Sequence, residues 1–348
     1  MSVFTQFHGH EQVVFATDDA TGLRCIVAIH STVLGPALGG TRFRAYPSEA
    51  AALTDVLRLS RAMTYKNACA GLDHGGGKAV IIGDPAALRS DALFTAYGRV
   101  IAGLAGRYIT ACDVGTKPAD MSVVRRQTSF VTGMEPADGG SGDSGILTAW
   151  GVYAGIKACL AHVFGDGSPR GRHVAIQGIG KVGRRVAGHL AADGARLTLA
   201  DVDQAAVAAL ASELGAEVVP VELVGRVECD VFSPNALGGV IDDEAIRGLR
   251  CAIVAGGANN QLAEDRHGDL LRERGILYAP DFVINAGGVI QISDELQPGG
   301  YDEARARART EHIADLLREI FARAEADGIS TAEAAERMAE ARIAAARM

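Results

Sequence analysis

The residues with the clearest chemical potential lie in Met63–Lys78, M-T-Y-K-N-A-C-A-G-L-D-H-G-G-G-K. Lys66 and Lys78 stand at either side of a helix end and a triple glycine. Two ammonium groups held close together repel, and with partial burial at least one pKa falls below the usual value of about 10.4. A lysine tuned in this way can act as a base, while its charged neighbour holds an anion. Taken alone, the stretch is equally a flexible glycine loop with two surface lysines. It is not a phosphate-binding P-loop, because Leu72 stands where the first glycine belongs and Ala79 replaces the Ser/Thr after the lysine. Asp113 is a third candidate. It follows the short strand Arg107–Ala111, where a side chain can reach a site, although a lone aspartate there also serves as a turn or N-cap residue.

A second constellation begins at His173–Gln177, a strand followed directly by G-I-G-K-V-G at Gly178–Gly183, with Gly180, Lys181 and Val182 inside the turn. The next strand, Arg196–Ala200, ends at Asp201-Val202-Asp203. Strand, glycine turn, helix and a following acid form the dinucleotide-binding pattern. The glycines let the backbone approach a pyrophosphate at the helix N-terminus, and Asp201 accepts hydrogen bonds from ribose hydroxyls. A 2′-phosphate would meet Asp201 and Asp203, and Arg184 and Arg185 come too early to clamp it, so NAD is expected rather than NADP. Alternation continues with strands at Val218-Val219, Asp230–Ser233 and Cys251–Ala255. Asn259 and Asn260 follow the last of these, as possible amides for a ligand or as a simple turn.

The elements that must position these groups suit a chain of 348 residues and two domains. A 48% hydrophobic and 22% charged composition is that of a soluble globular protein. The net charge of -8 argues against nucleic acid or an anionic membrane as partner. No apolar run is expected to reach the roughly 20 residues of a membrane span, and Met1–His10 lacks the pattern of a leader. Six dispersed cysteines without a C-x-x-C pair fit reduced thiols in a cytoplasm. His8 and His10 have no third ligand in view, so no metal is expected. Strands are expected at Val13–Ala16 and Leu23–Ile29, then a loop through S-T-V-L-G-P-A-L-G-G-T-R-F whose Gly39-Gly40 present backbone N–H groups to a ligand. A helix capped by Ser48 ends at Gly71, and the triple glycine Gly75–Gly77 lets the backbone bend tightly or approach a ligand closely before a strand opening at Lys78. One helix is expected over about Ala86–Leu104, another from Thr116-Pro118, a hinge at Gly133–Gly145, and a capping box at Ser330 and Glu333.

Together these segments resemble the NAD-dependent amino acid dehydrogenases of the glutamate/leucine/phenylalanine/valine group. The resemblance runs from about residue 10 to the C-terminus, through G-P-A-L-G-G-T-R, L-S-R-A-M-T-Y-K, G-G-G-K-A-V-I, D-V-G-T, G-I-G-K-V-G, G-G-A-N-N and A-P-D-F-V-I-N-A-G-G-V-I. The final part looks most like valine and leucine dehydrogenases. The resemblance implies an α/β fold with a catalytic and oligomerisation domain over 1–138 and a Rossmann domain over 139–328. A C-terminal helix over 329–348 returns to the first domain, and the cleft between domains closes on the substrate.

It also implies roles. Lys66 holds the substrate carboxylate, with Gly39, Gly40 and Met63 nearby. Lys78 is the general acid/base acting on water, and Asp113 exchanges protons with the substrate amine. Thr148, Asn259 and Arg42 join Gly178–Gly183, Asp201 and Val202 as cofactor contacts, and Asn260 touches substrate. Leu38, Ala111, Val289 and Ile292 form the side-chain pocket. All four are apolar, which disfavours glutamate. Phenylalanine-preferring relatives tend to carry a smaller residue where Val289 stands, so valine, leucine or isoleucine is expected. The alternatives are a phenylalanine or broad-range enzyme and, from another class, a silent NAD-binding sensor. The chain departs from the family pattern at Ala62, His74, Cys112 and S-P-N-A-L.

Overall fold

The computed structural model describes residues 7 and 9–347, so His8 lies outside the described residues. The chain divides into two compact units. The first comprises Met1–Ser144, Val289–Ala306 and Ala339–Met348; the second comprises Gly145–Gly288 and Arg307–Met338.

The first unit begins with strands β1 (Gln12–Asp18), β2 (Leu23–Ser31) and β3 (Ala37–Arg44), then helix α1 (Glu49–Cys69) and strand β4 (Gly75–Ile82). Helices α2 (Pro85–Leu88) and α3 (Asp91–Gly103), strand β5 (Tyr108–Cys112) and helix α4 (Pro118–Arg125) complete its N-terminal part. The sheet runs β1-β2-β4-β3-β5, with β3 parallel to both neighbours. Side-chain alternation along β2 explains the layers. Leu23, Cys25, Val27 and Ile29 pack with Leu93, Phe94 and Tyr97 of α3, while Ile26 and Ala28 pack with Leu53, Val56 and Leu57 of α1. Both faces of the strand are therefore apolar, as its nearly unbroken hydrophobic run requires.

Three expectations are corrected here. Gly39 and Gly40 do not belong to a loop; they lie inside β3. Gly75–Gly77 is not a bend but the start of β4. In both strands glycine answers to crowding by neighbours. A Cβ at Gly76 would collide with Thr64 of α1, and one at Gly77 would lie 2.6 Å from the Tyr108 ring. The single helix expected over Ala86–Leu104 is two, because Ser90 is extended and its side chain accepts from the Leu93 N–H to cap a new helix. Other expectations hold: Ser48 caps α1, and Gly71, at φ +68°, follows its last turn.

The second unit opens with α5 (Gly145–Phe164) and continues β6 (His173–Gln177), α6 (Gly183–Ala192), β7 (Arg196–Ala200), α7 (Gln204–Leu214), β8 (Glu217–Val218), β9 (Val231–Pro234) and α8 (Asp243–Gly248). Strand β10 (Ile253–Val254), α9 (Arg266–Glu273), β11 (Leu277–Tyr278) and α10 (Asp281–Ile284) follow. The remaining helices are α11 (Gly287–Asp294), α12 (Glu303–Glu311), α13 (Ile313–Asp327) and α14 (Thr331–Ala345). The sheet order is β11-β10-β9-β6-β7-β8, all parallel. Counted from β6 this is the doubly wound order, whose switch point falls between β6 and β9.

Helix α5 corrects the expectation about apolar runs. Its 20 residues are long and apolar enough, by length and composition alone, to cross a membrane. Leu147, Val152, Ile156, Cys159 and Leu160 are nevertheless buried in the unit, and α13, α6 and α10 pack against the helix. Gly151 and Gly155 make that packing possible, since Cβ atoms there would press on Ile313 and Ile284.

Candidate active site

In the first unit, Lys78 on β4 forms an ion pair with Asp113, the residue after β5. The other carboxylate oxygen of Asp113 faces Nε of Arg42, from β3, at 3.3 Å. The Arg42 guanidinium also donates to both oxygens of Asp55 on α1, at 3.3 and 3.0 Å. Burial alone would push the Asp113 carboxyl up, but Lys78 and then Arg42 outweigh it and hold the group at about 2. Asp113 is thus a carboxylate at neutral pH, and the charge that meets Lys78 is negative.

The geometry of Asp113 comes from the D-V-G-T turn. Thr116 Oγ1 accepts from the Asp113 N–H at 2.8 Å and donates to the Thr41 carbonyl at 2.9 Å. Gly115, at φ +82°, sits so close to the Phe43 carbonyl that no Cβ fits. Gly40 is constrained similarly, because a Cβ there would stand 3.0 Å from the Asp113 Cβ and collide with the Cys112 carbonyl.

Lys66 is half-buried in the last turn of α1. That turn is pinned by Asn67, whose buried amide donates to the carbonyls of Leu38 and Gly75, at 3.2 and 2.6 Å. Met63 approaches Gly39, where a Cβ would lie 3.3 Å from its Cγ, and the Tyr108 hydroxyl donates to the Gly39 carbonyl at 2.6 Å. Leu38 and Ala111 are buried on β3 and β5, and Val289 and Ile292 are buried on α11. The segment after α4 is tied to the end of that helix by Glu295, the residue after α11, which accepts from the N–H groups of Gly133 and Ser141, at 2.9 and 2.8 Å. Gln291 donates to the Ser141 carbonyl at 2.9 Å. Sequence reasoning passed over Asn67 and Asp55, since an amide or a carboxylate inside a helix carries no distinctive spacing, and Glu295, which stands in the turn just after α11. His74 is half-buried before β4, and the Cys112 thiol donates to the Gly133 carbonyl at 3.4 Å.

Arg42 was expected among the cofactor contacts. Its guanidinium engages Asp113 and Asp55 in the first unit.

In the second unit the glycine turn follows β6. Gly178 has φ +87° and lies against Ala236, and a Cβ at Gly183 would collide with the Gly178 carbonyl. Gly180 has open space where a Cβ would stand, as a turn that receives a pyrophosphate requires. Lys181 is exposed and Val182 half-buried. Asp201 accepts from the Ile179 N–H at 2.7 Å, so it fixes the glycine turn against the end of β7. Val202 and Leu237 are 85% and 75% exposed and follow β7 and β9, the strands on either side of β6. Thr148 sits in the first turn of α5, whose backbone Gly287 approaches too closely for any Cβ. Asn260 has φ +51°, unusual for a residue other than glycine, and the Asn259 side chain accepts from Asn285 at 2.9 Å. Asn235, which sequence reasoning did not single out, joins two of these loops by accepting from the Gly257 N–H at 2.8 Å.

A doubly wound parallel sheet with a glycine turn after its first strand in one unit, and a buried Lys–Asp pair in the other, define an α/β oxidoreductase of the nucleotide-dependent kind. The comparisons make the family specific. Residues 9–130 match the Glu/Leu/Phe/Val dehydrogenase dimerisation domain, and residues 196–348 match Glutamate/Leucine/Phenylalanine/Valine dehydrogenase. The chain belongs to this dehydrogenase family. It is 51% identical to leucine dehydrogenase of Geobacillus stearothermophilus over 98% of this chain and 92% of the relative. It is 52% identical to valine dehydrogenase of Streptomyces coelicolor over 99% and 96% of the two chains. Among solved structures, L-tryptophan dehydrogenase from Nostoc punctiforme aligns with TM-score 0.83 and 41% identity over 99% and 98% of the chains. The hetero-hexameric glutamate dehydrogenase of Thermus thermophilus, at 24% identity and TM-score 0.82 over 98% and 90%, shares the fold.

Proposed function

We propose that the chain catalyses reversible, NAD-dependent oxidative deamination of a branched-chain L-amino acid, giving the 2-oxo acid, ammonia and NADH. The observation that carries the preference is the apolar, buried character of the four residues that the family resemblance assigns to the side-chain pocket. Leu38, Ala111, Val289 and Ile292 are all apolar and buried, so a substrate γ-carboxylate would lose its hydration with no basic partner among them. Relatives about half identical to this chain over nearly all of it are named for leucine and valine, in accord with that reading.

The proposed roles are those the family resemblance implies, and the geometry of the first unit is in accord with them. Lys66 holds the substrate carboxylate beside Gly39, Gly40 and Met63. Asp113, already ionised, receives the proton that the substrate ammonium must lose before Cα can be oxidised. The nicotinamide, when bound, accepts the hydride that leaves Cα. Lys78, once its ammonium proton has passed to solvent, takes a proton from the water that adds to the imine carbon and returns it as ammonia departs.

Gly178, Gly180, Lys181, Val182 and Gly183 would hold the pyrophosphate, and Asp201 the ribose. Exposed Val202 and Leu237 offer apolar surface for an adenine, and Thr148 and Asn259 serve the nicotinamide end, with Asn260 at the substrate. The carboxylates of Asp201 and Asp203 support NAD over NADP. The partners in this reading are small molecules and further copies of the same chain, the latter in line with the dimerisation model matched over 9–130. A reducing cytoplasm suits the six free cysteines.

A second reading, broad or aromatic preference, draws support from the 41% identity to a tryptophan dehydrogenase. NADH formation with NAD and L-Val, L-Leu, L-Ile, L-Phe, L-Trp or L-Glu separates the two. Highest kcat/KM for an aliphatic substrate is expected. L-Phe or L-Trp far above L-Val would overturn the preference, and silence with all six would sink the enzyme reading.

A further inference from the structure

We propose that Asp55 and Arg42 form a positioning pair that holds Asp113 in register with Lys78, with Tyr46 as the outer anchor of the chain. This inference rests on the deaminase reading of the Lys78–Asp113 pair, and it gives Arg42 a task other than holding the cofactor.

Charge balance makes the first argument. Lys78 and Arg42 both face Asp113, so these three groups alone would leave one uncompensated positive charge in a site where their side chains are only 6%, 17% and 15% exposed. Asp55 supplies the second carboxylate and makes the cluster neutral. An uncompensated charge in such a place costs far more than a surface ion pair contributes.

Geometry makes the second. Arg42 uses Nε toward Asp113 Oδ1 and Nη1 toward Asp55, leaving Asp113 Oδ2 to Lys78. A planar guanidinium fixed at two edges cannot rotate, so it sets the orientation of the Asp113 carboxylate. The far end is fixed too, since the Tyr46 hydroxyl donates to Asp55 Oδ2 at 2.7 Å. Burial, and then the Asp55 carboxylate, push ionisation of Tyr46 well up, so the hydroxyl remains a donor throughout the working pH range. The relay therefore runs Tyr46, Asp55, Arg42, Asp113, Lys78, and joins α1 to three strands of the sheet.

The test uses the full-length protein with NAD and the L-amino acid it turns over fastest, in wild type, Asp55→Asn, Asp55→Glu, Arg42→Lys, Tyr46→Phe and the Asp55→Asn/Arg42→Lys double variant. A misplacement of about 1 Å in a catalytic group can cost about 100-fold, so loss of the orienting partner should lower kcat by about 10–100-fold. Asp55→Asn and Arg42→Lys are each expected in that range, with amino acid KM and the NADH dissociation constant within about twofold of wild type. Asp55→Glu should recover part of the loss, Tyr46→Phe should lose only severalfold, and the double variant should be no worse than the weaker single one. A weakened NADH affinity with kcat unchanged at saturating NAD would overturn the proposal and return Arg42 to the cofactor. Multiplicative losses in the double variant would also overturn it. Thermal midpoints supply a readout independent of turnover. Asp55→Asn and Asp113→Asn should shift the midpoint non-additively, because both act on Arg42, and additive shifts would refute the relay. A wild type silent on every substrate but with non-additive midpoints would refute the functional reading alone.

Discussion

Lys78 and Asp113 are paired across β3, the strand that separates β4 from β5 in the sheet. The pair can close because β3 carries Gly40, at which a Cβ would press on the Asp113 side chain. A glycine whose expected purpose was to offer its N–H to a ligand thus has a steric purpose as well.

Gly40→Ala tests that relationship. The new methyl group must displace Asp113 or the Cys112 carbonyl, and overpacking of this kind costs about 1–3 kcal/mol. The expected outcome is a kcat reduced at least about tenfold, with a thermal midpoint lowered by only a few degrees. Wild-type kcat in a folded Gly40→Ala protein would show that the strand is not what sets the pair.

Lys78→Ala should abolish turnover, by about 10²–10⁴-fold in kcat, because it removes the group assigned to exchange the proton of the attacking water. NADH binding, followed by fluorescence, should be retained. Near-normal turnover would remove Lys78 from the role of base.

Acid stability should depend on Asp113. Its folded pKa, about 2, lies below the ordinary carboxylate value, so its stabilisation is present above about pH 4 and is lost as pH falls toward about 2. A depression of this size corresponds to something on the order of 2 kcal/mol. Thermal midpoints measured from about pH 6 down to about pH 3 should fall less steeply for Asp113→Asn than for wild type. Parallel curves would contradict the assignment.

Asn67→Ala should raise the amino acid KM more than it lowers kcat. It leaves the carbonyls of Leu38 and Gly75 without their amide and loosens the turn that carries Lys66. Breaking such buried hydrogen bonds costs about 1–3 kcal/mol of stability, visible in urea unfolding. An unchanged KM would separate Asn67 from substrate binding.

Val289→Ala should widen the pocket. A change of one or two carbon groups in an apolar pocket is worth about 1–3 kcal/mol in discrimination, so the L-Phe to L-Val ratio of kcat/KM should rise about 10–200-fold. A falling ratio would place Val289 outside the specificity wall.

Much of the architecture was legible from local pattern. Strand, G-x-G-x-x-G turn, helix and Asp201 are contiguous or nearly so, and each step obeys a rule that operates over a few residues. The helix from Ser48 to Gly71 was readable for the same reason, since a cap and a left-handed glycine act on their own turn. Local pattern misread Gly39-Gly40 as part of a loop and Gly75–Gly77 as a bend, because glycine signals freedom of the backbone only when nothing else crowds it. In these strands the crowding comes from Thr64, Tyr108, Cys112 and Asp113, residues distant in sequence or on other elements.

The identities of Lys66, Lys78 and Asp113 as candidates, and the family to which the chain belongs, were determined by residue types in order along the chain. The partners of those residues were decided only by the tertiary structure. Pairing of Lys78 with Asp113, and recruitment of Arg42, Asp55 and Tyr46 behind them, depend on the strand order β4-β3-β5 and on α1 lying against that sheet. Ionisation and orientation of a buried group depend on every charge within a few ångströms. Which charges those are is a property of the packed chain, since residues from Arg42 to Asp113 meet at one point only after folding.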